Sequence, residues 1–125
     1  MAKIRIKAGD VSMEAELSDS PTAQKILKAL PIEGRGSRWG DEIYFSIPVE
    51  ANLEPDANDV VSKGTLGYWP PGTAFCIFFG RTPASRGDEI RAASPVNIIG
   101  KLLGDPEEFK KVKSGTKVII EKAEG

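Results

Sequence analysis

The sequence predicts a mostly β fold, a barrel of about eight short strands with one longer and one short α-helix. Three observations lead there. Runs of alternating apolar and polar residues, the period of half-buried strands, recur along the whole chain. Helical patterns do not separate these runs regularly, as a parallel α/β sheet would require. Closing the sheet into a barrel also leaves no strand edge exposed to other chains. At 125 residues, with 40% hydrophobic and 28% charged, two cores would each be too small, so residues 1–125 read as a single domain.

Taken in order, "KIRIKA" puts Ile4 and Ile6 on one face, and "VSMEAEL" does the same for Val11, Met13, Ala15 and Leu17. The intervening "AGD" reads as a hairpin turn. In "SDSPTAQKILKALP", Ser20 is placed to cap a helix and Pro21 to occupy its first position, while Ala23, Ile26, Leu27 and Leu30 share one face. Lys25 and Lys28 lie toward the C-terminal dipole, and Pro31 ends the helix. "IEGRGSRWGD" is Gly-rich and basic, hence a loop, and "EIYFSIP" alternates Ile43, Phe45 and Ile47 with Tyr44 and Ser46. "VEANLEPDAND" reads as an exposed acidic loop. "VVSKGTLGYW" follows as a strand weakened by Gly64 and Gly67, and "TAFCIFF" as a strand covered on both faces. "EIRAA" and "VNIIGKLL" read as short strands interrupted at Pro95 and Gly100. "DPEEFKKV" predicts a short helix with Asp105 as its cap, and "TKVIIEKA" a last strand.

Composition narrows the chemistry. The 17 basic and 18 acidic residues are interspersed, so no Lys/Arg block offers a footprint for a phosphate backbone, and nucleic acid is not an expected partner. "MAKIRIKAGD" alternates charge with Ile, and no apolar run reaches the roughly eighteen residues of a membrane span, so a soluble chain without signal peptide or membrane partner is expected. The lone Cys76 fits a cytoplasmic location, and desolvation between Phe75 and Ile77 makes it a core residue. With no histidine, Ser/His/Asp, Cys/His and HExxH chemistries are excluded. Asp41/Glu42 and Asp88/Glu89 are adjacent in sequence, so in a strand they would face opposite ways. They read as solvated turns, and no metal or cofactor is expected.

In this order, "ALPIEGRGSRWGDEIYF", "GYWPPGTAFCIFFGRTPAS" and "ASPVNIIGK" resemble the small prokaryotic cyclophilin-like proteins, most of uncharacterised function, over nearly the whole chain. The resemblance implies a closed cyclophilin-like β-barrel with a helix covering one end. It also implies a weaker parallel with peptidyl-prolyl isomerases, whose first helix "LSDSPTAQKILKAL" is similar to. Here Pro21, Thr22 and Ala23 lack the residue that usually separates the Pro from the Thr. The isomerases then carry a Phe-His-Arg segment and use its Arg. This chain reads "GSRWGDEIYF", and Arg38 is the counterpart by position. Rotation about Xaa-Pro faces a barrier of about 18–20 kcal/mol and needs no nucleophile, so a guanidinium and an apolar proline pocket are compatible with a histidine-free isomerase.

Several residues are candidates for a site, each with a plainer role beside it. Tyr68 and Trp69, stiffened by Pro70 and Pro71, either line a groove or cover a barrel end. "GRGSRWG" either presents Arg35, Arg38 and Trp39 to an anionic or amide-containing ligand, or is a solvated loop with Trp39 in the core. Arg81, Arg86 and Arg91 form a cationic pocket for a carboxylate or phosphate if their loop faces Arg38; otherwise they pair with Asp88 and Glu89. Asn97 is a groove hydrogen-bonder or a bulge residue. The leading reading is a binding module for a peptide segment or small ligand, anionic ones included. The alternative is an isomerase with Arg38 as its catalytic group and Tyr68, Trp69 and Phe78 as its proline pocket. Third comes a structural subunit, which would need a large exposed apolar patch.

Overall fold

The computed structural model of the chain describes residues 2–123. Its strands are β1 (Ala2–Ala8), β2 (Val11–Leu17), β3 (Ile32–Arg35), β4 (Ser37–Arg38), β5 (Glu42–Ser46), β6 (Asn58–Val61), β7 (Thr65–Trp69), β8 (Ala74–Phe78), β9 (Ile90–Leu102) and β10 (Lys117–Lys122). One α-helix, α1 (Pro21–Ala29), and two 3-10 turns, Pro70–Gly72 and Pro106–Lys111, complete the described residues. The molecule is mostly β, as expected.

The first hairpin follows its pattern: Ile4, Ile6 and Ala8 of β1 lie beside Ala15, Met13 and Val11 of β2, all buried on one face. The N-terminus of α1 is capped by Ser20, whose Oγ accepts from the Ala23 amide at 3.2 Å, and Ala23 and Ile26 are fully buried. The peptide between Leu30 and Pro31 is cis.

The strands form an antiparallel sheet in the order β3-β10-β1-β2-β9-β7-β8-β5-β4, with β6 added against β9. Its two end strands are neighbours in the chain, separated by Gly36 alone. Residues 32–38, expected as a loop, therefore form two strands: β3 pairs with β10 and β4 with β5. Glycine content here reflects close approach rather than an open loop. A Cβ on Gly36 would stand 2.7 Å from Ile43 Cγ2 and 3.1 Å from Val118 Cγ2. The expectation was a closed barrel of about eight strands. Ten are present, and no hydrogen-bonded ladder among the described residues joins β3 to β4, so the chain itself links the two ends of the curled sheet.

Three further elements differ from expectation. "VVSKGTLGYW" divides between Val61 and Thr65 into β6 and β7, which pair with different parts of β9. The two short strands expected around Pro95 are one strand of 13 residues. Its pairing with β6 jumps from Arg91 to Val96, a bulge that leaves Pro95 outside the ladder, where its missing N–H costs nothing. The short helix after Asp105 is of 3-10 type.

Strand β8 is covered on both faces, as predicted. Phe75 and Ile77 join Ile43, Phe45, Leu66 and Tyr68 in the main core. Ala74, Cys76 and Phe78 face the other way, into a second cluster with Ile90, Ala92 and Val96. The candidate site is built on that second cluster.

Candidate functional site

Strands β4 and β5 are joined by a tight turn in which the Trp39 amide donates to the Glu42 carbonyl at 2.9 Å. Gly40 holds φ +63° there, and a Cβ would meet the Arg81 carbonyl oxygen at 2.9 Å, so the turn requires glycine. This geometry brings Trp39 and Glu42 together, and the two-residue period of β5 adds Tyr44 on the same face. With Trp69 they border a cavity of about 240 Å³. Ala92, Ala93 and Val96, from the bulged part of β9, supply the remaining apolar wall, their small side chains leaving the space open. Trp69 is held in place by its indole N–H, which donates to Ser94 Oγ at 2.7 Å.

Two buried polar groups line the inner cavity, Glu42 and Cys76. Glu42 is 6% exposed. Burial pushes its carboxyl up to about 7 from an ordinary 4.5, a rise only partly opposed by a hydrogen bond with the Cys76 thiol. The same burial, followed by the Glu42 charge, pushes the thiol well above its ordinary range. Cys76 is thus a protonated thiol, also 3.8 Å from the Ala74 carbonyl oxygen, and not a nucleophile. No Lys or Arg lines the cavity.

Of the residues singled out in the sequence, Trp39 and Trp69 border this cavity. Tyr68, adjacent to Trp69, faces the opposite way: it is 0% exposed, and its hydroxyl donates to the Val49 carbonyl at 2.6 Å in the main core. Phe78 is also 0% exposed, within the second cluster, so neither ring borders the cavity between Trp39 and Trp69, while Tyr68 adjoins a separate, more polar cavity beside Lys25, Glu50 and Thr73. Asn97 is 0% exposed and acts as a loop anchor. Its amide donates to Thr22 Oγ1 at 3.0 Å and the Asn52 carbonyl at 2.9 Å, and its oxygen accepts from the Glu54 amide at 2.8 Å.

Arg38, next to Trp39, does not border the cavity. Its Nε donates to the Gly40 carbonyl at 2.9 Å, Nη1 to the Val112 carbonyl at 2.8 Å and Nη2 to Asp41 Oδ1 at 3.0 Å. The guanidinium also lies 4.9 Å from the Phe79 ring centroid. Nε and Nη2 thus hold the turn itself at Gly40 and Asp41, and Nη1 ties it to the carbonyls of Lys110 and Val112, which is a structural use of the side chain. Arg38→Ala is expected to cost about 2 kcal/mol of stability, read as a lower urea midpoint.

The loop carrying Arg81 and Arg86, which leads into β9 at Arg91, does adjoin this turn, since the Asp41 amide donates to the Arg81 carbonyl at 2.8 Å. The arginines nevertheless do not converge. Arg91 pairs with Asp59 and Glu89, each at 2.6 Å, Arg81 is exposed, and Arg35 donates to the Gly115 carbonyl at 3.0 Å.

Glu42 and Tyr44 escaped the reading of the sequence. By sequence Glu42 reads with Asp41 as a solvated turn acid, yet it stands two residues before Tyr44 on the face opposite Ile43 and Phe45. That alternation was the available signal. Among the described residues no group of three His, Cys, Asp or Glu side chains is arranged to hold a metal ion, and no helix is long and apolar enough to cross a membrane.

Comparison with known proteins places the chain in a family. No curated protein matches the chain. Among solved structures, the hypothetical protein AF2241 from Archaeoglobus fulgidus is 41% identical, with a TM-score of 0.82 over 98% of this chain and 95% of that one. McbB, solved in complex with tryptophan, is 13% identical with a TM-score of 0.70 over 98% of this chain and 45% of its own, a likeness of fold alone. The cyclophilin-like family model matches residues 2–121. With a match of that extent and an archaeal relative so similar, the chain belongs to the cyclophilin-like family.

Proposed function

We propose that this protein is a binding module whose cavity takes a small planar ligand between Trp39 and Trp69. The observation that carries the reading is an apolar cavity of about 240 Å³ bordered by both tryptophans of the chain. An engineered apolar cavity of about 150 Å³ admits benzene, so this volume suits one ring or a fused pair. A peptide would enter by a single side chain. Aromatic walls give large contact area at low entropic cost, and Trp69 is already oriented by Ser94. McbB, a protein of the same fold, was solved with tryptophan bound, which supports planar aromatic compounds as first probes.

The test is NMR titration of the purified protein with such compounds, following the indole N–H signals of Trp39 and Trp69. Saturable shifts of both are expected. Ala93→Leu, an exposed change at the cavity wall, should weaken binding about tenfold or more without altering the fold. Indole signals that stay unmoved across the panel would sink the reading. The alternative reading, an isomerase acting through Arg38, requires that side chain to leave its four hydrogen-bond partners, Gly40, Asp41, Lys110 and Val112. Accelerated cis/trans exchange of an Xaa-Pro peptide in the same sample would favour it.

A further inference from the structure

Glu42 poses a problem that the apolar walls alone do not explain. Its side chain is more than nine-tenths buried, it lines the cavity, and the Cys76 thiol is its one side-chain hydrogen-bond partner among the described residues. Carboxyl groups are rarely placed this way without a partner, because a buried unpaired charge is costly and a thiol is a weak donor. The groups facing it from each neighbouring element are few. They are the Cys76 thiol from β8, the Tyr44 phenol from its own strand, and the indoles of Trp39 and Trp69; β9 contributes only Ala92, Ala93 and Val96. No cation is among them, and the Trp69 N–H is already given to Ser94.

We infer that Glu42 is the specificity-determining anchor of the cavity, and that the ligand it selects is a planar cation presenting paired N–H groups, of the amidine or guanidine class. This inference rests on the cavity being a ligand site. Three features of the site favour that chemistry. A carboxylate matches a forked pair of N–H donors and repels an anionic head. A purely apolar ligand would leave the carboxyl with the weak thiol donor of Cys76 as its side-chain partner and shield it further from water. The two indole faces attract a planar cation and stack on it. Glu42 thus supplies the charge, while the tryptophans supply shape.

Benzamidine, benzamide and benzoate test this directly, since they share one shape and differ in the charge and donors of the head group. Isothermal titration of the wild-type protein at pH 8 should show benzamidine binding at least about tenfold tighter than benzamide, and benzoate weakest. Glu42→Gln should abolish the advantage of benzamidine over benzamide while retaining benzamide binding. A second readout needs no variant. Benzamidine affinity should rise about tenfold per pH unit below pH 7 and level off above it, as the carboxyl ionises, whereas benzamide affinity should not rise.

The outcomes separate the two readings. Equal affinities of amidine and amide, or benzoate as the tightest, overturn the role of Glu42 and leave the cavity as a ligand site. No binding by any of the three, with both indole signals unmoved, overturns both.

Discussion

Glu42→Gln is expected to stabilise the fold by about 3 kcal/mol at pH 8 and to change it little near pH 4. The physical origin is the burial that raises the folded carboxyl to about 7 while the unfolded chain keeps an ordinary value of 4.5. Between those values the folded state binds a proton that the unfolded state has lost, so stability falls as pH rises. The favourable contribution of the protonated side chain is fully present below about pH 4.5 and gone above about pH 7. Glutamine keeps the shape and stays neutral throughout, so its stability profile lacks this slope. Glu107 acts in the opposite sense: hydrogen bonds from Lys110 and Lys63 hold it down at about 2, so its contribution fades as pH falls from about 4.5 to about 2. Comparing wild type and variant at each pH cancels that background. Urea midpoints at pH 4 and pH 8 are the measurement. Parallel curves for the two proteins would mean that water reaches Glu42 freely and that its burial has no energetic consequence.

Asn97→Ala should be strongly damaging, at about 4 kcal/mol. Its amide lies wholly inside the protein and serves Thr22 at the start of α1, together with Asn52 and Glu54 in the loop before β6. Glu54 in turn accepts from the Thr22 amide at 2.9 Å, so removing one side chain breaks a connected set. Truncation leaves the Glu54 N–H and the Asn52 carbonyl without partners, each costing about 1–3 kcal/mol, and opens a void beside them. The urea midpoint should fall with the slope unchanged, and the Glu54 amide should exchange with solvent faster. A loss under about 1 kcal/mol would show that the loop is held by other contacts.

Much of this fold was legible because local rules suffice for it. The period of two in β1 and β2, the continuous apolar run of β8, and the Ser20 cap with Pro21 ahead of an apolar stripe in α1 specify their elements without distant information. Residues 32–38 could not be read so. Their partners are β10 and β5, and the glycines that suggested a loop are there to pass close to Ile43, Phe45 and Val118. That error carried into the site. Once β4 is a strand, Arg38 and Trp39 must diverge, and the pair expected to act together is split between a structural tie and a cavity wall. Tyr68 and Trp69 diverge for the same reason. Glu42 was hidden by its neighbour Asp41, because two adjacent acids look like a solvated turn until the register shows that one of them points inward.

The division of β8 between two clusters bears on how such a protein can change over evolutionary time. Phe75 and Ile77 belong to the structural core, whereas Ala74 and Cys76 belong to the layer beneath the cavity. Substitutions confined to that layer and to the alanines of β9 alter which molecule fits while leaving the main core untouched. Under the proposed function, ligand preference is free to drift while the backbone is kept, and a designer can exploit the same separation by varying positions 92 and 93 first.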